Sequence, residues 1–316
     1  MSAVVDMDEA LELAAAALKV MPRRAVRQPL SNSGKAIYQV FLPDEQCVAL
    51  RMSVRPKTFA YTQHNLNVLR TLGLPVPSVL ACGPTPSGGS FIILNWIPGH
   101  DLVQELPAMS RAQMTRLAEH VVRFQRRVAG LPRARAFGWA PIGRSGSLQS
   151  WTEVFGKAPP APPHDDGTLL GGLRARLCDA RAQLEPYFRA VEPVCFLDDL
   201  NTKNILAENG ALRGLIDVDF VCYGDPLMAI GTTLACIVAD VQGAGAFYGE
   251  ELVRLWNPDF IQRQAIFFYA ALWAIGCLSL NDARAQPQRH ADLSRAADSW
   301  LHFCKSPPTL SVSIPA

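Results

Sequence analysis

Apolar positions early in the chain alternate with polar ones or form short runs rich in β-branched and aromatic residues. The segments 36–42 (AIYQVFL) and 47–52 (CVALRM) are separated by the polar turn PDEQ, and 78–83 (SVLACG) and 90–97 (SFIILNWI) flank PTPSGG. Such pairs predict β-hairpins. Between them, 62–73 (TQHNLNVLRTLG) has helical spacing and ends at a glycine. The pattern therefore predicts a small antiparallel sheet with one inserted helix.

The pattern changes at the segment PGHDL (98–102), and helical spacing dominates from there on. Apolar residues recur three and four positions apart over 110–130, where Ser110 and Gly130 occupy cap positions. Further helices are expected over 168–190 and 226–304, and the proline-rich stretch 156–167 is predicted to be a loop.

These patterns predict an α+β, bilobal fold. A small antiparallel β lobe with one helix would span residues 1–97, and a large, mainly α lobe would span 98–316. The hinge is expected at about 94–99. A division of this kind favours a ligand site between the lobes.

Composition and charge narrow the class of protein. A net charge of +2 gives no reason to expect nucleic acid or an acidic membrane as a partner. The N-terminal stretch is acidic where a signal peptide would be basic, so it predicts an amphipathic helix. The uncharged run 265–280 is shorter than the ~20 residues that span a bilayer, which favours a buried helix. Eight cysteines without a C-x-x-C pair indicate reduced thiols rather than zinc. We expect a cytoplasmic protein without a membrane partner; the oligomeric state is not predicted.

Two acidic segments carry the candidate chemistry, LDDLNTKNIL (197–206) and DVDF (217–220). Asp199 lies five residues before Asn204, and Asp217 lies thirteen after it. The intervening NILAENGALRGLID predicts a hairpin with ENG as its turn. Buried carboxylates need cations or hydrogen bonds as partners. Two oxygen ligands beside a further carboxylate match what Mg²⁺-assisted phosphoryl transfer needs.

The order D-x4-N, I-D-x-D and YGDP resembles the aminoglycoside phosphotransferase family of small-molecule kinases, which share the protein-kinase-like bilobal fold. The resemblance covers most of the chain. It implies that Asp199 is the catalytic acid/base and that Asn204 and Asp217 hold Mg²⁺. It also implies ATP or GTP as the phosphoryl donor and a hydroxyl group of a small molecule as the acceptor.

The same resemblance implies roles for residues of the N-terminal lobe. Arg51 would be the strand cation that contacts phosphate, and Asn95 and Ile97 would face adenine with their backbone. SNSGK (31–35), with Ser33 and Gly34, would be the turn that covers the phosphates. Taken alone, this turn lacks the glycine spacing of a P-loop.

Several positions depart from the family pattern. Leu197 and Asp198 stand where the family usually has His-Gly, and Ala229 stands where a second acid often follows GDP. The helix position that usually offers a glutamate aligns with Asn65. We therefore expect Arg51 to meet an amide from Asn65 or Gln63, or no partner on that helix. A carboxylate paired with Arg51 would indicate a misaligned helix.

Other polar residues have two interpretations. Asp219 could be a second metal contact or a buried acid bonded to backbone amides, and Lys203 could contact phosphate or reach solvent. Asp225 is expected to be a structural cap rather than a catalyst. Aromatic residues of the later helices could line an acceptor site or fill the core: Tyr248, Trp256, Phe267, Phe268, Tyr269 and Trp273.

Two functional hypotheses follow. The first is a phosphotransferase; the second is a pseudokinase that binds a nucleotide or metabolite without phosphoryl transfer. A metal-dependent hydrolase fits less well, because no His-rich ligand set is present. Residues 226–316 contain seven acidic and six basic side chains, a balance that does not predict a pocket for polycationic aminoglycosides.

Overall fold

The computed structural model describes residues 7–29, 34–156, 168–280 and 284–305. The chain divides into two compact units. The first comprises the residues up to Pro98 together with Gly214–Asp219, and the second comprises Gly99–Arg213 and the residues from Phe220 onwards. The first division falls within the predicted hinge. The segment Gly214–Asp219, which the sequence pattern placed in the second lobe, belongs with the first unit.

The first unit contains two helices and a five-stranded antiparallel sheet with the strand order β1-β2-β3-β5-β4. The elements are α1 (Met7–Leu18), β1 (Arg24–Arg27), β2 (Lys35–Phe41), β3 (Cys47–Ser53), α2 (Thr62–Thr71), β4 (Val79–Pro84) and β5 (Ser90–Asn95). Both predicted hairpins and the inserted helix are confirmed.

The alternation of buried and partly exposed side chains along the strands explains why these segments form a sheet with one face on the core. Along β2, every second side chain is buried, because successive residues of a strand point to opposite faces. Helix α1 covers the core of this sheet with Ala10 and Ala14, which confirms the predicted amphipathic helix. Strand β1 was not predicted. Its sequence, RAVR, buries only Ala25, so the arginines on either side hide the strand pattern.

The second unit is mainly helical, as predicted. Its helices are α3 (Leu102–Glu105), α4 (Arg111–Ala129), α5 (Leu169–Ala190), α6 (Leu227–Cys236), α7 (Ala246–Trp256), α8 (Phe260–Leu280) and α9 (Pro287–Lys305). Ser110 accepts a hydrogen bond from the Gln113 N–H at the start of α4, and Gly130 caps its end. Beyond Gly156, the predicted proline-rich loop lies outside the described residues.

Short strands form two further sheets, each with three strands. They are β6 (His100–Asp101), β7 (Gly138–Ala140), β8 (Val194–Phe196), β9 (Ile205–Glu208), β10 (Ala211–Leu215) and β11 (Val221–Gly224). The predicted hairpin is β9–β10, and Asn209 and Gly210 take positive φ angles of 53° and 75° at its turn. The remaining strands were missed because two to four residues are too few to show a period.

Two helical stretches, Leu227–Trp256 and Phe260–Leu280, are long and apolar enough to cross a membrane by length and composition. The argument from length was wrong for the second, because α8 has 21 residues. The described part of α8 packs against α5, α6 and α9, and more than half of its most apolar window is buried. Packing of this kind supports the predicted buried core helix.

Close contact between α6 and α8 depends on Gly231. A Cβ atom there would lie 2.6 Å from both the Ile266 carbonyl oxygen and Tyr269 Cβ, and 2.9 Å from the Ala270 nitrogen. Backbone atoms cannot move aside cheaply. We expect Gly231→Ala to lower the free energy of unfolding by about 1–3 kcal/mol, as overpacking does, in a urea titration.

Gly276→Ala in α8 is the matched control. A Cβ atom there would meet nothing within 4 Å, so the alanine should raise stability by about 0.5–1 kcal/mol through its better helix propensity. Equal effects of the two alanines would contradict the close helix contact.

Candidate active site

Arg51 is the buried centre of a polar cluster in the first unit. Strand β3 places its guanidinium so that Nη1 donates to Asp219 Oδ1 at 2.9 Å and Nη2 donates to Asp219 Oδ2 at 2.7 Å. Nη2 also donates to Asp217 Oδ1 at 2.7 Å. Burial alone would lower the pKa of Arg51, but the charges of Asp219 and Asp217 raise it above the usual arginine value. The guanidinium is therefore permanently charged and paired.

Helix α2 contacts Asp219 with neutral groups. Thr62 Oγ1 donates to Asp219 Oδ1 at 2.8 Å, and Asn65 Nδ2 donates to the Asp219 main-chain oxygen at 2.7 Å. Lys35 Nζ lies 4.0 Å from Asp219 Oδ2. All four groups thus surround one aspartate.

These contacts bear on two expectations. Arg51 was expected to meet an amide from Asn65 or Gln63, or no partner on α2; its hydrogen-bond partners are carboxylates that lie outside α2, in agreement with the second alternative. These carboxylates come from the segment after β10 and not from α2. They therefore do not show that a residue of α2 other than Asn65 occupies the glutamate position. Asp219 was expected to bind metal or backbone amides, but its oxygens accept from side chains. Asp219, the second acid of DVDF, was noted in the sequence, but its pairing with Arg51 was not predicted.

Asp217 differs from its neighbour in exposure and backbone conformation. Its side chain is 44% exposed, whereas that of Asp219 is 8% exposed. Asp217 has a φ of 58°, in the left-handed region that few non-glycine residues adopt. Such conformations are found preferentially where a side chain must be aimed for function. One oxygen of Asp217 accepts from Arg51, and the carboxylate is accessible from solvent.

The predicted hinge contains an unusual strand contact at Asn95. Its N–H donates to the Ser78 carbonyl at 3.0 Å, but the Ser78 N–H donates to the Asn95 side-chain oxygen Oδ1. In a regular antiparallel pair the main-chain carbonyl would take that N–H. The Trp96 N–H donates to Cys47, and the Ile97 side chain packs over Gly214, where a Cβ would lie 2.6 Å from it.

The predicted phosphate-covering turn is described only in part. Ser33 lies outside the described residues. Gly34 has a φ of 85°, which favours glycine, and its carbonyl accepts from the Val54 N–H at 3.2 Å. Gly34 therefore joins the start of β2 to the end of β3.

The predicted catalytic loop lies in the second unit, between β8 and β9. Asn201 Nδ2 donates to Asp199 Oδ1 at 2.6 Å, and the Lys203 N–H donates to Asn201 Oδ1 at 2.9 Å. Asn204 Nδ2 donates to the Asp199 main-chain oxygen at 2.8 Å. Asp199 and Asn204 are thus brought together. Asn201, which the sequence analysis did not single out, fixes the Asp199 carboxylate.

The residues before Asp199 are held by partners that the sequence analysis missed. Buried Gln125 of α4 donates to the Leu197 carbonyl at 2.7 Å and accepts from the Leu197 N–H at 3.0 Å. The indole N–H of Trp139, a side chain that is 50% exposed, donates to Asp198. Leu197 is therefore fixed through its backbone, and the Asp198 carboxylate is engaged by the indole.

The Lys203 side chain is 54% exposed and also has an ion-pair partner that was not predicted. Its Nζ lies 3.0 Å from Asp240 Oδ2, and Arg289 Nη2 lies 3.3 Å from Asp240 Oδ1. Asp240 belongs to a π-helical turn that follows α6. The Lys203–Asp240 ion pair connects the loop between β8 and β9 to this turn.

The YGDP segment is a structural junction between β11 and α6. Asp225 accepts hydrogen bonds from Tyr187 at 2.7 Å, from Tyr269 at 2.8 Å and from the Leu227 N–H at 3.0 Å. At Gly224 a Cβ would lie 1.9 Å from Trp151. These contacts support the predicted structural role of Asp225.

The aromatic residues of the later helices mostly fill the core. Tyr248, Phe267, Phe268 and Tyr269 are at most 3% exposed, whereas Trp256 and Trp273 are half-buried. They leave little aromatic surface for an acceptor.

The candidate ligands fit a magnesium ion chemically. Asn204 uses its amide nitrogen on Asp199, so its carbonyl oxygen is the atom that can bind a cation. Asp217 supplies an exposed carboxylate. Within the described residues, no group of three or more His, Cys, Asp or Glu side chains could hold a metal. Magnesium is commonly held by one or two side chains together with substrate phosphates.

Comparison with known families defines the class of protein. Residues 53–270 match the model of the phosphotransferase enzyme family, APH. Because the match covers more than half of the chain, the protein belongs to this family of phosphotransferase enzymes. The predicted resemblance is confirmed, and so is the prediction of a small-molecule kinase at the level of the family. A comparison with curated proteins found no matching sequence.

Solved structures confirm the predicted fold class. A thermostable mutant of aminoglycoside phosphotransferase APH(4)-Ia, in ternary complex with ADP and hygromycin B, has a TM-score of 0.68 and 13% identity, covering 95% of this chain and 100% of that one. A putative fructosamine-3-kinase from Thermobifida fusca has a TM-score of 0.59 and 14% identity, covering 93% and 100%. The ADP-bound aminoglycoside phosphotransferase APH(2'')-Ib has the same TM-score and identity, covering 92% and 97%.

The Asp225 network generates a prediction about pH. Burial raises the pKa of the Asp225 carboxyl, and its three hydrogen-bond donors lower it by less. The carboxyl therefore binds its proton more tightly in the folded protein than in the unfolded chain, and this contribution to stability is lost as pH rises through the raised pKa. Asn does not titrate. The excess stability of the natural protein over Asp225→Asn should decrease as pH rises from the ordinary value of 3.8 upwards.

The measurement is the free energy of unfolding of both proteins in urea at several pH values. An excess stability that increases with pH would show that the two tyrosine hydroxyls and the Leu227 N–H outweigh burial.

Proposed function

We propose that the protein transfers the γ-phosphoryl group of ATP or GTP to a hydroxyl group of a small molecule. The observation that carries this proposal is the loop between β8 and β9. There, Asn201 fixes the Asp199 carboxylate, and Asn204 bonds the Asp199 main chain through its nitrogen. These bonds support the proposal, because they hold a carboxylate in place and leave an amide oxygen for a cation, and phosphoryl transfer needs both groups.

Groups of the first unit would bind the nucleotide. Arg51 carries a fixed positive charge suited to phosphate oxygens. Asn95 accepts the Ser78 N–H with its side chain, so its main-chain carbonyl is left to accept from an adenine amino group. Ile97, two residues after the end of β5, would contribute its backbone, and Gly34 with Ser33 would lie over the phosphates. Relatives of the same fold with ADP support this choice of donor.

Asn204 and Asp217 would hold Mg²⁺, which when bound neutralises charge on the phosphates. In the reaction, the acceptor hydroxyl oxygen forms a bond to the γ-phosphorus, and the bond from that phosphorus to the β–γ bridging oxygen breaks. The hydroxyl proton passes to the Asp199 carboxylate, and the nucleoside diphosphate leaves. Asp199 thus acts as a base toward the hydroxyl and later releases the proton to solvent.

The acceptor is proposed to be a small hydroxyl compound rather than a polycation. Asp240 is already paired with Lys203 and Arg289, so it does not present a free negative charge. Glu251 is likewise paired with Arg254. A screen of ATP consumption across amino alcohols, sugars and antibiotics would identify the acceptor. Turnover confined to aminoglycosides would contradict this part of the proposal.

A second candidate is a protein that binds a nucleotide without transferring phosphate. The contact between Arg51 Nη2 and Asp217 Oδ1 favours it, because the proposed metal ligand is already paired with a cation. A nucleotide-induced rise in melting temperature, without phosphoryl transfer to any acceptor of the screen, would support this alternative.

Three amide variants test the proposed roles. Asp199→Asn should lower kcat by a factor on the order of 10²–10⁴, as loss of a general base does, and leave nucleotide affinity nearly unchanged. Asp217→Asn should weaken Mg²⁺-dependent nucleotide binding, because a proposed ligand is lost. Asp198→Asn should have the smallest effect, since its carboxylate is engaged by Trp139.

The three proteins are compared by calorimetry with the nucleotide and by an assay of phosphoryl transfer to the acceptor found in the screen. Inactivity of Asp198→Asn beside normal activity of Asp199→Asn would place the catalytic carboxylate one residue earlier. Full activity of all three would rule out the phosphotransferase mechanism.

A further inference from the structure

Asp219 has no part in the reaction as proposed, yet it accepts more hydrogen bonds than Asp217, its neighbour in the same segment. Both of its oxygens accept from Arg51, one also accepts from Thr62, and its main-chain oxygen accepts from Asn65. A buried polar network that is fully hydrogen-bonded holds its members rigidly.

We propose that Asp219 is the positioning residue of Arg51, and that α2 supports this carboxylate instead of supplying one. The proposal deepens the proposed function, on which it rests, because Arg51 is the group expected to meet the nucleotide phosphates. Asp219 would set the plane and direction of the guanidinium before the nucleotide binds.

The geometry shows how Asp219 orients the guanidinium, to which Asp217 adds a single bond. Nη1 and Nη2 donate to different oxygens of Asp219 at 2.9 and 2.7 Å, which is the parallel, two-bond arrangement of an arginine with a carboxylate. Two bonds fix the rotation of the guanidinium, whereas a single bond would leave it free to turn. The ring of Phe59, with its centroid 5.1 Å from Arg51 Cζ, lies against the guanidinium as well.

The helix contributes donors to this arrangement. The Thr62 hydroxyl and the Asn65 amide both donate, one to the carboxylate and one to the main chain of Asp219. An acid at position 65 would instead place an oxygen against the Asp219 carbonyl and add a like charge beside the carboxylate. Such a like charge is destabilising in a buried site.

The two interpretations of the helix therefore predict opposite results for Asn65→Asp. If Arg51 lacks an ion-pair partner on α2, aspartate at position 65 should supply that partner and tighten nucleotide binding. If α2 supports Asp219 by donation, the same change should weaken binding.

The experiment uses the full chain. Binding of ADP without metal is measured by calorimetry, and KM and kcat are measured with the acceptor from the screen. Asp219→Asn should weaken ADP binding roughly 10- to 100-fold, the range expected for hydrogen bonds to charged groups. The KM for the nucleotide should rise accordingly, and kcat at saturating nucleotide should change less.

Substitutions of Thr62 test a smaller change, because valine removes the hydroxyl group and serine keeps it. Thr62→Val should weaken ADP binding roughly 3- to 10-fold through loss of one hydrogen bond, and Thr62→Ser should bind like the natural protein. Asp44→Asn, in the exposed turn between β2 and β3, is the control for removal of a carboxylate from the same unit. The Val and Ser variants keep the test decisive if Asp219→Asn fails to fold.

The outcomes separate this inference from the proposed function. A natural protein that neither binds nucleotide nor transfers phosphate contradicts the proposed function itself. With an active natural protein, tighter ADP binding by Asn65→Asp overturns the positioning role. Normal ADP affinity of folded Asp219→Asn and Thr62→Val also overturns the positioning role. If these variants lose only melting temperature, the Asp219 carboxylate has a purely structural role.

Discussion

A buried guanidinium needs negative partners, and the first unit is organised around this requirement. An uncompensated charge in this position would cost several kcal/mol. Strand β3 supplies the cation, the segment after β10 supplies two carboxylates, and Thr62 of α2 supplies a neutral donor to one of them. Two neighbouring elements therefore meet a segment from much later in the chain at one charge, and the parts proposed to contact phosphate and metal are neighbours for that reason.

The loop between β8 and β9 follows a different design, based on side-chain amides. Gln125 holds the backbone of Leu197, Asn201 holds the carboxylate of Asp199, and Asn204 holds its main chain. Amides can donate and accept at once, so each joins two loop groups or leaves an oxygen for a ligand. Departures from the family pattern at Leu197 and Asp198 are compatible with an ordered loop, because the order comes from these amides.

How far the sequence predicts this structure depends on the range of the interactions. The hairpins, α4 with its Ser110 cap and the β9–β10 turn are local, and their spacing and caps predicted them. Arg51, Asp199, Asn204 and Asp217 were identified through the spacing of family motifs. The partners of Arg51 were not predicted. Aligning α2 with the family pattern shows which residue stands at the glutamate position of the helix, but it does not show which residues of other segments contact Arg51. Gln125 and Trp139 were missed for a similar reason, since their contacts join residues far apart in the chain.

The first unit is discontinuous, and this affects how the protein can be made. Arg51 and Asp219 are separated by 168 positions. On a ribosome adding ~5–20 residues per second, Arg51 waits on the order of 10–30 s for its carboxylates to be synthesised. A fragment ending at Pro98 would contain the five-stranded sheet but would lack Gly214–Asp219. The N-terminal unit thus becomes complete only after most of the second unit has been synthesised.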